Sequence, residues 1–135
     1  MAFVLANIGL FAAFAAVAAL LGLSYSLEGM LGYQSTLPGD AVRLMNAGAS
    51  VLDLRPADQF AAGHVRGAVN LAPGALADWA GKQRKSKQRA VLLIAAPRQS
   101  VFGLARQLRA QGFEPVHVLK GGMRGWAEAQ LPLAK

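Results

Sequence analysis

The chain has 135 residues, a formal net charge of +7 and a hydrophobic content of 54%. This length suits one domain and is short for two. It contains no cysteine, which excludes disulfides, thiolate metal ligands and thiol nucleophiles but is compatible with any redox compartment. Because residues 2–23 carry no charge, the basic character belongs to the rest of the chain. There it favours anionic lipid headgroups, acidic proteins or nucleic acid as partners.

The first predicted element is an apolar helix over residues 2–23, in which Asn7 is the most polar side chain. A helix of this length measures about 33 Å, enough to cross the hydrocarbon core of a bilayer. A cleaved signal peptide would have basic residues before a shorter apolar run, and a buried soluble helix is the other alternative. We predict a single transmembrane helix. Every Lys and Arg follows it, which favours a cytoplasmic domain, although Glu28 and Asp40 precede the first of them, Arg43.

The predicted helix also carries a stripe of small residues at helical spacing. Small side chains let helix backbones approach closely in lipid, where packing drives association, so the stripe predicts a partner helix. An alanine-rich anchor also acquires such a stripe by chance. The residues concerned are Ala2, Ala6, Gly9, Ala13 and Ala16.

After a predicted linker at residues 24–36, short apolar runs alternate with amphipathic segments. Pro38 is suited to the first turn of a helix, which Gly48 ends. Strands are predicted at 49–54, 68–71, 90–95 and 116–119, and further helices at 57–62, 73–80, 100–111 and around Trp126. This alternation predicts an α/β fold with a central parallel sheet covered on both faces. Sites in such sheets lie at the carboxyl ends of the strands, which points to the loop 95–100.

Five short motifs follow one another along the predicted domain. They are Asp53-Leu54-Arg55, Asp58-Gln59-Phe60, Gly63-His64-Val65-Arg66-Gly67-Ala68-Val69-Asn70, Gln111-Gly112-Phe113, and Leu119-Lys120-Gly121-Gly122 followed by Trp126. In this order they resemble a rhodanese-homology domain over residues 37–133. With the N-terminal anchor, the chain resembles membrane-tethered bacterial rhodanese-like proteins of the YibN type. The resemblance implies the rhodanese-like three-layer fold and a place at the inner membrane.

Active members of that family carry a cysteine at the start of the loop after the central strand, where it accepts a sulfane sulfur as a persulfide. Backbone N–H groups at a helix N-terminus lower the thiol pKa and stabilise the anionic sulfur. Here the position falls on Ile94 or Ala95, and Pro97 removes one N–H. Ser100 would need a general base, for which His64 is the nearby candidate in the family layout. We therefore expect no catalytic residue. The degenerate active-site loop comprises Ala95, Ala96, Pro97, Arg98, Gln99 and Ser100.

The family-motif residues Asp53, Arg55, Asp58 and His64 are expected to be structural first. Arg55 would form an ion pair that holds the turn, for example with Asp58. Alternatively, Arg55 binds an anionic ligand or a partner carboxylate, and His64 makes a pH-sensitive contact. Arg98 is either a solvated loop residue or, with the loop N–H groups, a site for sulfate or phosphate.

A basic tract forms the last motif, with five charged residues among residues 82–89. A solvated loop is the default interpretation, and contact with anionic lipid headgroups would add about 1 kcal/mol per basic residue. No aromatic side chain is interleaved, so specific nucleic-acid binding is not expected. We also expect no metal and no cofactor. The basic residues are Lys82, Arg84, Lys85, Lys87 and Arg89.

These observations favour a catalytically inactive, membrane-tethered rhodanese-like domain that binds a membrane or membrane-associated protein. A second hypothesis is an accessory subunit in sulfur transfer, with the thiol supplied by a partner. A third is a structural subunit of a membrane complex, with the small-residue stripe as its interface.

Overall fold

The computed structural model of the chain describes residues 1–83 and 89–135, without the side chains of residues 28 and 29. The chain divides into two compact units, Met1–Leu31 and Gly32–Lys135. The first unit holds helices α1 (Ala2–Ala6) and α2 (Ile8–Leu31). Within α2, the span Ile8–Leu27 has a mean hydropathy of 2.1 and is not buried. By length and composition it is able to cross a membrane, a criterion that a signal sequence also meets.

The N-terminal helical segment begins at Ala2 as predicted, but it is interrupted at Asn7 and ends later than predicted. Two helices replace the single helix predicted over residues 2–23, because the backbone breaks at Asn7. The Asn7 side chain donates a hydrogen bond to the Phe3 carbonyl at 2.9 Å, and such local bonds compete with the helical ladder. Helix α2 then continues to Leu31, well beyond residue 23.

The predicted linker at residues 24–36 is therefore mostly regular structure. Its first part belongs to α2, since Leu27, Met30 and Leu31 are good helix formers. Gly32 has a φ of +78°, a left-handed conformation in which glycine lets the chain leave the helix without strain. Strand β1 (Gln34–Thr36) follows and pairs in parallel with the last strand of the sheet. Its short polar sequence gave no sign of a strand, because its structure depends on pairing with a distant strand.

The second unit contains a five-stranded sheet whose described pairs are all parallel. Its order is β1-β5-β4-β2-β3, so the crossovers run through helices on both faces. The strands are β2 (Ser50–Asp53), β3 (Val69–Asn70), β4 (Val91–Ile94) and β5 (Val116–Leu119). The helices are α3 (Pro38–Asn46), α4 (Ala57–Ala62), α5 (Leu76–Lys82, after a 3-10 turn Pro73–Ala75), α6 (Val101–Ala110) and α7 (Gly122–Glu128). This confirms the predicted fold class.

Two apolar cores lie on opposite faces of the sheet. On the central strand β4, Leu93 packs into the core that includes Leu104 of α6. Ile94 packs instead with Ala41 of α3 and Trp126 of α7. Every residue of β4 is buried, as expected for a parallel strand covered on both faces. Its carboxyl end is therefore held rigidly where the next loop begins.

The edge strand β1 is also joined to β5 through side chains. Thr36 Oγ1 and His117 Nδ1 lie 2.8 Å apart in a hydrogen bond. Burial lowers the pKa of His117 from its ordinary value, so the imidazole is neutral near pH 7. The neutral ring and the hydroxyl form a polar contact at this edge of the sheet. His117 is thus structural, in agreement with its place in an apolar strand.

Helix α7 approaches β5 so closely that one position requires glycine. A Cβ atom on Gly125 would lie 2.5 Å from the Lys120 carbonyl oxygen. We expect Gly125→Ala to lower the free energy of unfolding by about 1–3 kcal/mol through overpacking. The measurement is urea denaturation of the full chain in lipid nanodiscs, followed by tryptophan fluorescence. Gly103→Ala on α6 is the matched control, because no atom lies within 4 Å of its added Cβ. Equal effects of the two substitutions would contradict this packing.

Candidate functional site

A buried ion pair holds the carboxyl end of β2. Asp53 is fully buried, and Arg55 is 9% exposed. The Arg55 Nε donates to both carboxylate oxygens of Asp53 at 2.9 and 3.0 Å, and its Nη2 donates to Oδ2 at 2.7 Å. Nη2 also donates to the Gly63 carbonyl at 2.9 Å, which fixes the return of the chain after α4. The predicted ion pair exists, but its acid is Asp53. Asp58 is exposed on α4, whereas Asp53 lies only two residues before Arg55 and reaches its guanidinium.

Asn70 attaches β3 to the same place. Its side-chain amide donates to the carbonyl oxygens of Asp53 and Arg55 at 3.0 and 2.9 Å. The Leu71 N–H also donates to the Asp53 carbonyl at 2.9 Å. These bonds align the ends of β2 and β3. Asn70 ends the third of the family motifs, but the sequence did not indicate that it joins the two strands.

His64 is held in place by contacts with Phe60 and Ala134. Its Nδ1 is hydrogen-bonded to the Phe60 carbonyl at 2.9 Å, and its ring stacks on Phe60 with centroids 3.8 Å apart. Its backbone exchanges two hydrogen bonds with Ala134, at 2.9 and 2.8 Å. No hydrogen bond joins His64 to Ser100, which precedes α6. The structure therefore does not pair this hydroxyl with the base that it would need.

The loop after β4 begins at Ala95. Ile94, the other position considered for the missing cysteine, is fully buried in the core, so Ala95 is the position open to the loop. Residues 96–99 form a turn closed by the Gln99 N–H and the Ala96 carbonyl at 3.1 Å. Arg98 has a φ of +66°. Proline at the second position and a positive φ at the third are the features of a type II turn.

The Gln99 side chain makes hydrogen bonds to the backbone of this loop and to the chain that follows β2. Its Oε1 accepts a hydrogen bond from the Ala96 N–H at 3.0 Å, and its Nε2 donates to the Leu54 carbonyl at 3.4 Å. One donor that the predicted anion cradle would offer is therefore already bonded, and Pro97 has no N–H. Gln99 belonged to the predicted loop, but its contacts depend on the turn geometry and were not predictable from the sequence.

A cleft of about 310 Å³ lies beside the loop, at the carboxyl ends of β2, β3 and β4. This is the edge at which sites in parallel sheets occur. Most of its wall is apolar, and its polar members are one arginine, one asparagine and one glutamine. The lining residues are Leu54, Arg55, Pro56, Ala57, Asn70, Ala72, Pro73, Ala96 and Gln99.

The basic tract is only partly within the described chain. Lys82 is the last residue of α5 and is exposed, as is Arg89. Arg84, Lys85 and Lys87 lie outside the described residues, so lipid contact by the tract stays a prediction. In residues 1–83 and 89–135, no three His, Asp or Glu side chains lie close enough together to hold a metal.

A three-layer domain with this parallel strand order, and with its loop and cleft at the end of the central strand, has the architecture of sulfurtransferase-type α/β domains. The rhodanese-like domain family matches residues 37–129, and the chain belongs to that family. The resemblance expected from the motifs is thereby confirmed.

Two relatives and one solved structure illustrate the relationship. The chain is 38% identical over 99 residues to the uncharacterized protein YibN of Escherichia coli strain K12, covering 72% of this chain and 69% of YibN. It is 30% identical over 97 residues to the thiosulfate sulfurtransferase GlpE of Pseudomonas entomophila, covering 72% and 87%. A thiosulfate sulfurtransferase crystal structure from Pseudomonas aeruginosa superposes with a TM-score of 0.66 at 22% identity, covering 79% of this chain and 21% of that one. That last similarity concerns the fold alone.

We expect the Asp53–Arg55 pair to contribute to stability far more than a surface pair does. Asp53→Ala should cost about 3–5 kcal/mol, because it leaves a buried guanidinium without its counter-charge. Arg124→Ala is the control: its pair with Glu128 is exposed, so the loss should stay below about 1 kcal/mol. Urea denaturation of the full chain measures both values. Similar losses for the two variants would show that the buried pair does not organise the site.

Proposed function

We propose that this protein is a catalytically inactive, membrane-tethered rhodanese-like module that binds a partner protein at the inner membrane. One observation carries the proposal. Ala95 stands where the loop would need its nucleophile, in a chain without any cysteine. Sulfur transfer through a persulfide requires a thiolate, and an alanine methyl group has no such chemistry.

The surrounding loop also argues against another nucleophile. Ser100 has no hydrogen-bonded base, and the Ala96 N–H already bonds Gln99. A nucleophilic hydroxyl needs an adjacent base, and a developing anion needs free donors. Next to Ala95, the loop supplies no such base, and two of its donors are missing because the Ala96 N–H is bonded and Pro97 has no N–H. What the domain retains is the framework of buried strands and the cleft, which suits recognition.

Membrane tethering rests on the N-terminal helix. The span Ile8–Leu27 is long and apolar enough to cross a bilayer, and its large side chains are exposed. All 14 Lys and Arg residues follow it, which supports a cytoplasmic position for the domain. The basic surface would then face anionic lipids and acidic proteins.

An accessory role in sulfur transfer is the second candidate, because a curated relative is a thiosulfate sulfurtransferase. In that case a partner supplies the thiol, and the domain positions it. The two candidates differ in the partner: affinity purification from membranes would recover a thiol enzyme only under the accessory role.

We expect the full chain in nanodiscs to form no more thiocyanate from thiosulfate and cyanide than empty nanodiscs do. The physical reason is the absence of any group able to carry the sulfane sulfur. GlpE from Pseudomonas entomophila serves as the active control in the same assay. Thiocyanate formation that rises in proportion to the concentration of this chain would overturn the proposal.

A further inference from the structure

We propose that the cleft binds a partner protein through an acidic–apolar peptide segment. The segment's carboxylate would bind Arg55 and Arg98, and a neighbouring apolar side chain would pack against the cleft wall. This inference rests on the proposed function as a non-catalytic binding module and names the chemistry of its partner.

The cleft wall selects for an apolar group. Six of its nine lining residues are Leu, Pro or Ala. Two of the three polar lining residues already have hydrogen-bond partners within the protein. Asn70 donates to two backbone carbonyl groups, and Gln99 is bonded to one carbonyl group and one N–H. At about 310 Å³, the cleft is at the lower end of ligand pockets, with room for one or two side chains.

Arg55 brings a donor to this apolar wall. Its Nε and Nη2 bond Asp53 and Gly63, while its Nη1 makes no hydrogen bond to any described residue. The side chain is more than nine-tenths buried and lines the cleft. A guanidinium carries five N–H donors, and a carboxylate is the acceptor that suits them best.

Arg98 carries a second guanidinium in the turn beside the cleft. It sits between Ala96 and Gln99, which both line the cleft, and it is exposed. Among the described residues it has neither a salt bridge nor a side-chain hydrogen bond. Its φ of +66° is a conformation that glycine adopts without strain.

A protein carboxylate fits these features better than a free anion or a lipid phosphate. The Ala96 N–H is taken by Gln99, and Pro97 has none, so a hydrated inorganic anion would find few donors in an apolar cleft. A carboxylate carried beside an apolar side chain matches both the guanidinium groups and the wall. The net charge of +7 also favours an acidic partner.

The test uses the full chain in zwitterionic nanodiscs, labelled with ¹³C at the alanine methyl groups. The methyls of Ala57, Ala72 and Ala96 report on the cleft, and Ala41, a buried residue of α3, is the reference. The probes are four blocked pentapeptides with Leu-Asp, Leu-Asn, Gly-Asp or Gly-Asn at the centre. We expect only the Leu-Asp peptide to shift the three cleft methyls saturably while leaving Ala41 unchanged.

Arg98→Gly separates binding from folding. It should weaken the Leu-Asp peptide about tenfold or more, since a charge-assisted contact is lost. It should also raise Tm by a few degrees, because glycine relieves the positive φ. Gln130→Gly is the matched control: Gln130 is the other non-glycine residue with a positive φ, at 58°, and its replacement should raise Tm without changing binding.

Three outcomes would overturn the proposal: no peptide shifts the cleft methyls, all four shift them equally, or Arg98→Gly binds as well as the unchanged chain. Cleft shifts caused by phosphatidylglycerol nanodiscs in place of the peptide would also overturn it, in favour of a lipid.

Thiocyanate formation is measured on the same samples. Its presence rejects the non-catalytic module itself, whereas failed peptide binding without thiocyanate rejects only the partner chemistry.

Discussion

The buried ion pair between Asp53 and Arg55 is the interaction on which the geometry of the site depends. It terminates β2, holds the chain after α4 through Gly63, and presents the two carbonyl groups that Asn70 binds. Because Asn70 joins β3 to these carbonyl groups, β2 and β3 end side by side, and residues at both ends line the cleft. A buried charged pair is costly to break, so the frame stays rigid whether or not chemistry takes place there.

The loop that faces this frame is held by a glutamine side chain. Gln99 links the Ala96 N–H to the Leu54 carbonyl, and thus connects the end of β4 to the end of β2. The oxygen and the nitrogen of its side-chain amide are thus both hydrogen-bonded, which holds the loop in this turn. The cleft beside it is mostly apolar, with the Arg55 guanidinium in its wall and Arg98 in the adjoining turn. We propose that this edge of the sheet serves recognition.

The sequence predicted what periodicity and strand order determine, and missed what tertiary pairing determines. The buried run at β4 and the amphipathic α6 followed from their patterns, and the parallel sheet then located the loop. Strand β1 was missed because Gln34–Thr36 is polar and owes its structure to β5, about 80 residues away in the chain. The break at Asn7 and the contacts of Gln99 are local hydrogen bonds, which composition does not reveal. The sequence offers two acids near Arg55, Asp53 and Asp58, and only the folded structure shows that Asp53 forms the ion pair.

We propose that the loop, as well as the missing thiol, keeps this domain from transferring sulfur. The most direct measurement is thiosulfate–cyanide turnover by Ala95→Cys in the full chain. We expect turnover at the level of empty nanodiscs, because a persulfide at position 95 would lack two donors of the cradle: the Ala96 N–H is bonded to Gln99, and Pro97 has no N–H. Turnover approaching that of GlpE would contradict it, and would show that the loop still supports the reaction once the thiol is returned.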